Sequence, residues 1–468
     1  MKQALKRIGI SGSSVAIVAL IYVFIALVPY MGRAYVSAEV RNTFTVDKFF
    51  GDYTSPERVM LLEAPNDAFF HRVNLISNAK EQIIFSSFAI YEGISGDIII
   101  GALLSAADRG VDIQILYNAI GGGMRSRYRN VLAAHDNINV YSFSRWEFFR
   151  PWHLNSAMHD KYMVVDGTFM ILGGRNISDR YFAPDGFSGN LTYDREILVY
   201  NTNSEFNGSI ADVLDYFYVK INSSRAHLHS RATAGSDWEV RKDVHIIQYQ
   251  LYRQSLNSNN FNYYENTVAT NGITLITNPI GTTKNDSVVA FSLMMLTQNS
   301  NVIVAQSPYV AFTHRNMRLF TELVEDRDFT LVTNSLASAV NLPAFSSYYV
   351  SRGRLINAGI TIYEFQSTDS SIHGKTYLFD GRLTAIGSFN MNERSIRSDT
   401  ESMLVIDSEE FHNIVLDAIG DQIAQSLMVD IDRNYVLSDY VEEAHASWGK
   451  RVLYIAAGTV LRLFRFMF

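Results

Sequence analysis

The sequence contains no cysteine and no surplus of basic residues, and both absences narrow what the protein can be. Without cysteine, the chain has no disulfides, no thiolate nucleophile and no cysteine ligands for a metal. Its 40 lysines and arginines are outnumbered by 47 aspartates and glutamates, which gives a net charge of -7. General nucleic-acid binders normally carry a basic surplus or stripe, so we expect no nucleic-acid partner, although a local basic groove remains compatible with these counts.

The N-terminal segment, residues 1–40, has the pattern of a membrane anchor or of a signal peptide. A charge-free stretch from Ile8 to Gly32 follows several basic residues and is about as long as a membrane-spanning helix. Its densely apolar part is shorter, and Val36–Ala38 resembles a signal-peptidase site, so both interpretations stay open, with the anchor favoured. In either case the positive flank predicts a cytoplasmic N-terminus and a translocated catalytic region.

The C-terminal segment, residues 431–468, ends in a stretch that mixes basic and large apolar side chains. From Lys450 to Phe468 it contains no acidic residue. Such a composition suits the lipid interface, where basic groups meet anionic headgroups and the apolar face enters the acyl boundary. A helix that packs on the folded domain explains the same pattern equally well.

Between these ends, the hydrophobic pattern predicts an α/β protein with two similar halves, at 55–220 and 273–430. Residues 221–272 are rich in Ser, Asn and Tyr with weak periodicity and are expected to form a connector or an insertion. The order strand, helix, strand with short joints favours parallel sheets covered by helices. Strands are predicted at 83–90, 111–117, 162–165, 301–306, 329–333, 360–365 and 377–379, and helices at 96–108, 314–324 and 348–357.

One long motif occurs twice, and it carries most of the functional information. Each copy runs His-x-Lys, four residues, Asp, six residues, Gly, a small residue, any residue and Asn. An Asp-x-Glu follows each copy, as Asp194 and Glu196 and as Asp399 and Glu401. Such a repeat predicts a duplicated domain whose halves face each other across one shared site. The motif residues are His159, Lys161, Asp166, Gly173, Gly174 and Asn176, and then His373, Lys375, Asp380, Gly387, Ser388 and Asn390.

The residue types suit the cleavage of a phosphodiester without a metal. Histidine can act as nucleophile or acid near neutral pH, and two histidines from opposed halves could flank one phosphorus atom. Lysine and asparagine supply charge and donors for phosphoryl oxygens. Glu196 and Glu401 are the candidates for orienting the histidines, whereas Asp194 and Asp399 could be solvated neighbours. Neither copy offers a second histidine or a carboxylate cluster at ligand spacing, so we expect no metal.

The remaining motif members have simpler explanations. Asp166 and Asp380 each precede a glycine and are predicted to be turn residues. The glycines are predicted to allow close backbone packing. Arg145, Trp146, Arg150 and Trp152 form a basic and aromatic loop just before the first motif, and we expect it to contact lipid.

The duplicated motif resembles that of the phospholipase D superfamily, over roughly residues 55–468. The resemblance implies two α/β halves around one site, no cofactor, and a ping-pong reaction through a phosphohistidine. It assigns His159 and His373 as nucleophile and acid/base in an order that is not fixed. Their partners would be Lys161, Lys375, Asn176 and Asn390 on the phosphoryl oxygens, with Glu196 and Glu401 behind the histidines.

Within the superfamily the chain looks most like bacterial cardiolipin synthases of the type C group. The stretches that carry this likeness include residues 158–161, 173–182, 331–336 and 387–395. The likeness implies a phosphatidyltransferase on the extracytoplasmic face of the inner membrane, with phosphatidylglycerol as substrate. A phospholipase D-type hydrolase, a membrane-tethered phosphodiesterase or nuclease, and a catalytically dead scaffold are the alternatives. The one departure between the copies is Gly174 where the second copy has Ser388.

Overall fold

The computed structural model of the 468-residue chain describes residues 12–31, 36–229, 237–256, 261–281 and 286–467. The N-terminal part comprises α1 (Gly12–Leu27), a 3-10 turn (Val28–Tyr30), α2 (Ala38–Thr43) and a second 3-10 turn (Asp47–Phe49). Of the helices within these ranges, none is both long and apolar enough to cross a bilayer. The predicted anchor or signal peptide also extends over residues 1–11 and 32–35, which lie outside the described residues, and it stays a prediction.

The first half builds a nine-stranded sheet that includes elements from the connector. Its elements are β1 (Glu57–Leu62), α3 (Pro65–Asn78), β2 (Gln82–Ser87), β3 (Ala89–Ile90), α4 (Ile94–Asp108), β4 (Asp112–Asn118), β5 (Gly123–Met124), α5 (Ser126–Ala133), β6 (Ile138–Phe143), a 3-10 helix (Pro151–Asn155), β7 (Tyr162–Val165), β8 (Phe169–Gly173), α6 (Asp179–Phe182), β9 (Leu191–Tyr193), β10 (Glu196–Asn201) and α7 (Ser209–Ile221). The connector adds β11 (Ala226–Leu228), α8 (Trp238–Ser255) and β12 (Val268–Ala269). The strand order is β11-β6-β4-β2-β7-β8-β10-β1-β12.

The second half repeats the same order of elements in an eight-stranded sheet. Its elements are β13 (Gly272–Thr277), α9 (Val288–Gln298), β14 (Val302–Gln306), β15 (Val310–Ala311), α10 (His314–Val324), β16 (Asp328–Asn334), α11 (Leu342–Asn357), β17 (Thr361–Phe365), β18 (Ser370–Ile372), β19 (Thr376–Phe379), β20 (Leu383–Gly387), β21 (Met391–Asn392), α12 (Glu393–Arg397), β22 (Ser402–Asp407), α13 (Glu409–Ile423) and β23 (Ser426–Met428). The strand order is β13-β22-β20-β19-β14-β16-β17-β23. Read from the other edge, it matches the first sheet strand for strand from β11 to β1.

The two sheets are mixed, so the expectation of parallel sheets is right for only part of each. In the first sheet β2, β4 and β6 run parallel, joined by helices, whereas β7, β8, β10 and β1 pair antiparallel. The second sheet has the same division, with β14, β16 and β17 parallel. Within the antiparallel part, the tight Asp-Gly turns of the duplicated motif join β7 to β8 and β19 to β20, and such short hairpins can only connect antiparallel strands.

A shared apolar layer holds the two halves together. It contains Val59 and Ile84 from the first sheet and Leu378 and Leu404 from the second, all at most 1% exposed. Because successive side chains of a strand point to opposite faces, each sheet also buries its other face, under α3 and α4 in the first half and under α9 and α10 in the second. The two halves are therefore domains with separate outer cores and one common inner core. The site that the repeat predicts lies between them.

The connector and the C-terminal segment are more regular than the sequence predicts. The expected irregular region at 221–272 contains the 18-residue helix α8, which packs on α3 and α4. Residues 431–468 contain α14 (Trp448–Val460) and a 3-10 turn (Leu461–Met467). Helix α14 buries Tyr454 against Phe345 of α11, which agrees with the packed-helix interpretation, while Trp448 on the same helix is 80% exposed.

Candidate active site

The two histidines lie at equivalent positions, each just before a central antiparallel strand of its own sheet. The backbone N–H of His159 donates to the carbonyl of Thr400, at 3.1 Å, and that of His373 donates to the carbonyl of Tyr193, at 2.7 Å. Each of these carbonyls lies one residue before an acidic residue of the opposite half. Strand β9, which ends just before Asp194, also pairs with β18, which ends just before His373. Backbone hydrogen bonds thus bring each histidine beside the other half's carboxylate.

The histidine–carboxylate pairs cross between the halves. His159 Nδ1 lies 3.1 Å from both oxygens of Glu401, and His373 Nδ1 lies 2.5 Å from Asp194 Oδ2. Both carboxylates are fully buried, and the two imidazole rings are 14% and 18% exposed. With Nδ1 facing a carboxylate, Nε2 of His159 is left for chemistry, whereas Nε2 of His373 also lies 3.2 Å from Lys375 Nζ. Glu401 therefore lies beside a histidine, as its predicted orienting role requires, and that role stays a prediction.

The prediction that Glu196 orients a histidine is wrong. Its carboxylate faces Arg72, with an Nη2–Oε1 distance of 2.7 Å, and also lies 3.4 Å from Arg175. Strand register gives the reason, because Gly173 pairs with Glu196 whereas Gly387 pairs with Met403. Asp194 is therefore the structural equivalent of Glu401, although the Asp-x-Glu sequences align Asp194 with Asp399.

Asp399 is also not a solvated neighbour. It is 5% exposed, and its Oδ1 accepts hydrogen bonds from the backbone N–H of Ala157, at 2.9 Å, and from Arg394, at 3.2 Å. This arrangement joins the segment before the first motif to the short helix α12 after the second. Asp399 thus fixes the chain on both sides of the site.

The difference between Gly174 and Ser388 matches the difference between the two acids. The Ser388 hydroxyl donates to Glu401 Oε2, and Ser395 donates to Oε1 at 2.5 Å. At Gly174 a Cβ atom would lie 2.3 Å from Asp194 Oδ1, so no side chain fits there. The first half thus combines the shorter acid with a glycine, and the second half combines the longer acid with a serine that holds it.

Both motif lysines are buried beside the histidines. Lys161 is 2% exposed and donates to the carbonyl of His159, and Lys375 is fully buried and donates to the carbonyl of His373. Lys375 Nζ also lies 3.8 Å from Asp194. Burial lowers the pKa of Lys161 to about 8 and that of Lys375 to about 7. Such lysines can be charged or neutral near physiological pH.

The same environment shifts the pKa values of the histidines and the acids. Burial, together with Lys375, lowers the pKa of His373 to about 4, and burial with Lys161 lowers the pKa of His159 well below its usual value. Burial raises the pKa of Glu401 to about 8. At Asp194 burial acts in the same direction, but Lys375 and His373 outweigh it and lower the pKa to about 2. The two acids therefore have different electrostatic roles.

The asparagines Asn176 and Asn390 are buried close to the end of each motif. They are 9% and 3% exposed, and within the described ranges the side-chain oxygen of each has no hydrogen-bond partner. Because the oxygen and nitrogen of an amide can be exchanged by a flip, either atom can face the site. Their predicted contact with phosphoryl oxygens stays a prediction.

The motif aspartates are turn residues, as the sequence predicts. Asp166 has φ +52° and accepts three backbone hydrogen bonds, from residues 80–82 at 2.8 to 2.9 Å. Asp380 has φ +47° and accepts two, from Asn301 and Val302 at 2.9 Å. Each holds the turn after its motif strand to the start of the neighbouring parallel strand.

Buried ions that the sequence analysis did not identify support the site. Lys220 lies 3.0 Å from Asp160, the middle residue of the first His-x-Lys, and both side chains are fully buried. Arg195 pairs with Glu63 and also donates to Gln306 and Thr376 of the second half, at 2.6 and 3.0 Å. For Arg195 the only local sequence signal is that a basic residue follows Asp194, because the partners of Arg195 lie far away in the sequence. In the described ranges we find no group of three or more metal-ligating side chains.

The loop at 145–152 lies on the surface beside the N-terminal helix. Trp146 is 65% exposed, and Phe148 and Phe149 are 62% and 88% exposed. The ring of Tyr22 in α1 stacks on Phe148 at 5.3 Å, and the Tyr30 hydroxyl donates to the carbonyl of Trp152 at 2.6 Å. This geometry does not test whether Arg145 or Arg150 contacts lipid, so that role stays a prediction.

Comparisons with known proteins give the family of the chain. A family model described as cardiolipin synthase, PLD-like domain, matches residues 73–217 and 296–420. Cardiolipin synthase C of Escherichia coli strain K12 is 24% identical over 76% of this chain and 82% of its own length. A Helicobacter pylori protein with no assigned function is 27% identical over 82% of this chain and 83% of its own.

A solved structure has the same fold over most of the chain. Phosphatidylserine synthase of Haemophilus influenzae superposes with a TM-score of 0.61 over 92% of this chain and all of its own, at 13% identity. The family model covers more than half of the chain. Each of its two matched segments contains one copy of the motif together with the Asp-x-Glu that follows it. The chain therefore belongs to the phospholipase D superfamily, in the family of cardiolipin synthase PLD-like domains.

Proposed function

We propose that the protein is a membrane-associated phosphatidyltransferase of the cardiolipin synthase type. The observation that carries the proposal is the pair of crossed contacts, His159 with Glu401 and His373 with Asp194, each beside a buried lysine. A nucleophile and an acid that come from two halves suit a displacement at phosphorus. The family and the named relatives support a phospholipid as the substrate.

In the first step of the proposed reaction, Nε2 of one histidine attacks the phosphorus of a phosphatidyl donor. The P–N bond forms, the P–O bond to the headgroup alcohol breaks, and the second histidine gives its proton to the departing oxygen. In the second step that histidine removes a proton from the acceptor hydroxyl, which attacks phosphorus as the P–N bond breaks. With phosphatidylglycerol as donor and acceptor, the products are cardiolipin and glycerol.

The neighbouring side chains have defined tasks in this scheme. Lys161, Lys375, Asn176 and Asn390 would bind the non-bridging phosphoryl oxygens as negative charge develops on them. Glu401 and Asp194 would orient the rings through Nδ1, and Asp194, which stays an anion, would stabilise the imidazolium of His373, as the acid of a hydrolase triad does. Water in place of the acceptor alcohol would give hydrolysis to phosphatidic acid.

We also propose that the terminal segments bind a membrane beside the site. The apolar side chains of α1 are exposed, among them Val18 at 66% and Leu20 at 69%, and the exposed Phe148 stacks on this helix. Tyr30 after α1 accepts a hydrogen bond from Arg397 of α12, and the C-terminal 3-10 turn packs on the same helix. Two apolar segments thus meet beside Asn390 and would bring the site to a lipid surface on the extracytoplasmic side.

The proposal is tested by incubating the purified full-length protein with phosphatidylglycerol vesicles and identifying the lipids by mass spectrometry. Cardiolipin and glycerol are expected from the wild type, and none from His159→Ala or His373→Ala. The matched control is His445→Ala, because His445 is exposed and lies outside the site. If phosphatidic acid were the only product, the proposed transferase function would have to be replaced by that of a hydrolase. Unchanged lipid with cleavage of an added oligonucleotide would replace it by a nuclease.

A further inference from the structure

An apolar cavity lies in the second half, between α9 and α10 on the outer face of the sheet. Its volume is about 270 Å³, and its walls include Ala290, Phe291, Met294, Leu319 and Phe320. An engineered apolar cavity of about 150 Å³ is already large enough to bind benzene. The cavity opens to the surface past Met294 and Leu319, which are 39% and 46% exposed.

The inner end of this cavity is formed by neighbours of the catalytic motif. Tyr377 lies two residues after Lys375 at the start of the same strand, so the two side chains share one face of the sheet. Phe389 and Met391, which flank Asn390, also line the cavity. The inner wall of the cavity is therefore formed by residues that are close neighbours of the site in the sequence.

The wall residue Tyr377 lies close to both the cavity and the site. The hydroxyl of Tyr377 is buried and, within the described part of the chain, has no hydrogen-bond partner. Burial, and then the nearby carboxylate of Glu401, raise the pKa of Tyr377. A mainly apolar cavity whose wall residues are neighbours of the site suits the acyl chain of an amphiphile whose polar part lies in the site.

The first half shows what fills the equivalent groove when it is not open. There α8 lies along α3 and α4, with the Tyr249 hydroxyl 2.9 Å from Ser77 and the Tyr252 ring 4.9 Å from that of Phe69. The backbone of α8 approaches so closely that a Cβ on Gly101 would lie 2.0 Å from the carbonyl of His245. In the described chain no helix lies along α9 and α10 in this way, although Phe44 of α2 contacts Phe291 of α9 and Ile396 of α12 lines the cavity.

We propose that the cavity between α9 and α10 holds one fatty acyl chain of the phospholipid whose phosphate lies in the site. This inference rests on the proposed function, because it takes the substrate to be a phospholipid. The acyl chain supplies apolar surface of the kind that α8 supplies in the first half. The asymmetry of the two halves then means that only the second half binds a lipid tail in this groove.

The test compares two forms of phosphatidylglycerol, one with oleoyl chains and one with hexanoyl chains. Leu319→Trp fills the cavity from its open end, and we expect the ratio of kcat/KM for the long-chain to the short-chain lipid to fall about tenfold or more. Leu416→Trp on α13 is the control, because Leu416 is similarly exposed, at 39%, and lies away from the cavity. An unchanged ratio in Leu319→Trp would overturn the proposal.

A second measurement separates the cavity from the reaction. Phosphatidylglycerol that carries a photoactivatable diazirine in one acyl chain is irradiated with the wild-type protein, and labelled peptides are mapped. Label on peptides from residues 288–324, reduced in Leu319→Trp, supports the cavity even if no cardiolipin forms, which would then reject the proposed function alone. Turnover with label only elsewhere would overturn the cavity and leave the proposed function standing.

Discussion

Each histidine of the site shares its buried space with one lysine and one carboxylate, and the two sets differ. Burial of an unpaired charge costs several kcal/mol, so each lysine is stabilised by the acid that also faces the histidine. Asp194, with a pKa of about 2, remains an anion beside His373, whereas Glu401, with a pKa of about 8, accepts hydrogen bonds from two serines. The two histidines therefore lie in unequal fields, which suits the proposed division of roles between nucleophile and acid.

Replacing Asp194 should impair catalysis much more than replacing Glu196. In Asp194→Asn, His373 loses the anion that stabilises its charged form, and we expect kcat to fall by about 10² to 10⁴. In Glu196→Gln, Arg72 loses its buried partner, so the free energy of unfolding should fall by about 3 kcal/mol while kcat of the folded enzyme stays within about threefold. Steady-state kinetics and urea unfolding of both variants measure this. Equal losses of kcat would restore Glu196 as an orienting residue.

The buried lysines predict loss of activity at alkaline pH. Lys375 has a pKa of about 7, so its charge disappears as the pH rises through that value, and its attraction for the phosphoryl group is lost with it. Because kcat/KM reports the ionisation of the free enzyme, it should fall between about pH 7 and 9. A pH profile with short-chain phosphatidylglycerol checks this. A value of kcat/KM that rises up to pH 9 would contradict the assignment of Lys375 as a charged phosphoryl ligand.

At the level of secondary-structure elements, the motif hairpins and the reciprocal backbone hydrogen bonds position the site. Strands β7 and β19 place histidine and lysine on one face, and the turns at Asp166 and Asp380 attach each hairpin to the adjacent parallel strand. The carbonyls of Tyr193 and Thr400 then fix the backbone of each histidine. The motif aspartates therefore act on the fold, and the proposed chemistry rests on the motif histidines and lysines.

Changes at Asp166 should therefore affect stability and leave turnover intact. Asp166→Ala removes the acceptor of three backbone hydrogen bonds and puts an alanine at positive φ, so we expect the free energy of unfolding to fall by about 2 to 3 kcal/mol. Asp166→Asn, which tolerates this backbone conformation and keeps one acceptor oxygen, should lose less than half of that. Chemical unfolding and kcat at 25 °C are the readouts. A loss of more than 100-fold in kcat without a change in stability would assign Asp166 to catalysis.

At the scale of the whole molecule, local sequence patterns predict the helices and strands, whereas contacts between the two halves determine which residues meet in the site. The helix at 314–324 and the strand at 162–165 have the predicted bounds, because each is a short periodic segment with clear ends. Helix α11 begins at Leu342, six residues before its prediction, because Asn341 caps it and a proline occupies its first turn. Such caps are local signals that the sequence contains.

The catalytic partners could be predicted only in part. The repeat identifies both histidines and Glu401, but the two Asp-x-Glu stretches look equivalent although the strands that follow them pair in registers that differ by two residues. Only the pairing of Gly173 with Glu196 and of Gly387 with Met403 reveals the shift. The bridge from Arg195 to Gln306 and Thr376 likewise joins residues more than 100 positions apart, which no local pattern indicates.

The proposed membrane face makes a prediction for the whole molecule. The double variant Phe148→Ser and Phe149→Ser removes two exposed rings, and burial of each ring would contribute about 1.5 to 3 kcal/mol. We expect binding to anionic vesicles to weaken about tenfold or more, with turnover of a soluble short-chain lipid unchanged. Tyr53→Ser is the control, because Tyr53 is 85% exposed but lies outside this face. Cosedimentation gives the affinities, and equal binding of all three proteins would reject the membrane face.

The central claim is that one histidine forms a covalent bond to phosphorus while the other, from the opposite half, handles the proton. It is tested most directly by rapid mixing with phosphatidylglycerol, quenching under alkaline conditions that preserve phosphoramidates, and mass spectrometry of the peptides. We expect a phosphatidyl adduct on either His159 or His373 in the wild type, and its absence when that histidine is replaced by alanine. Full turnover with no adduct on either histidine, and substantial turnover in both single alanine variants, would contradict it.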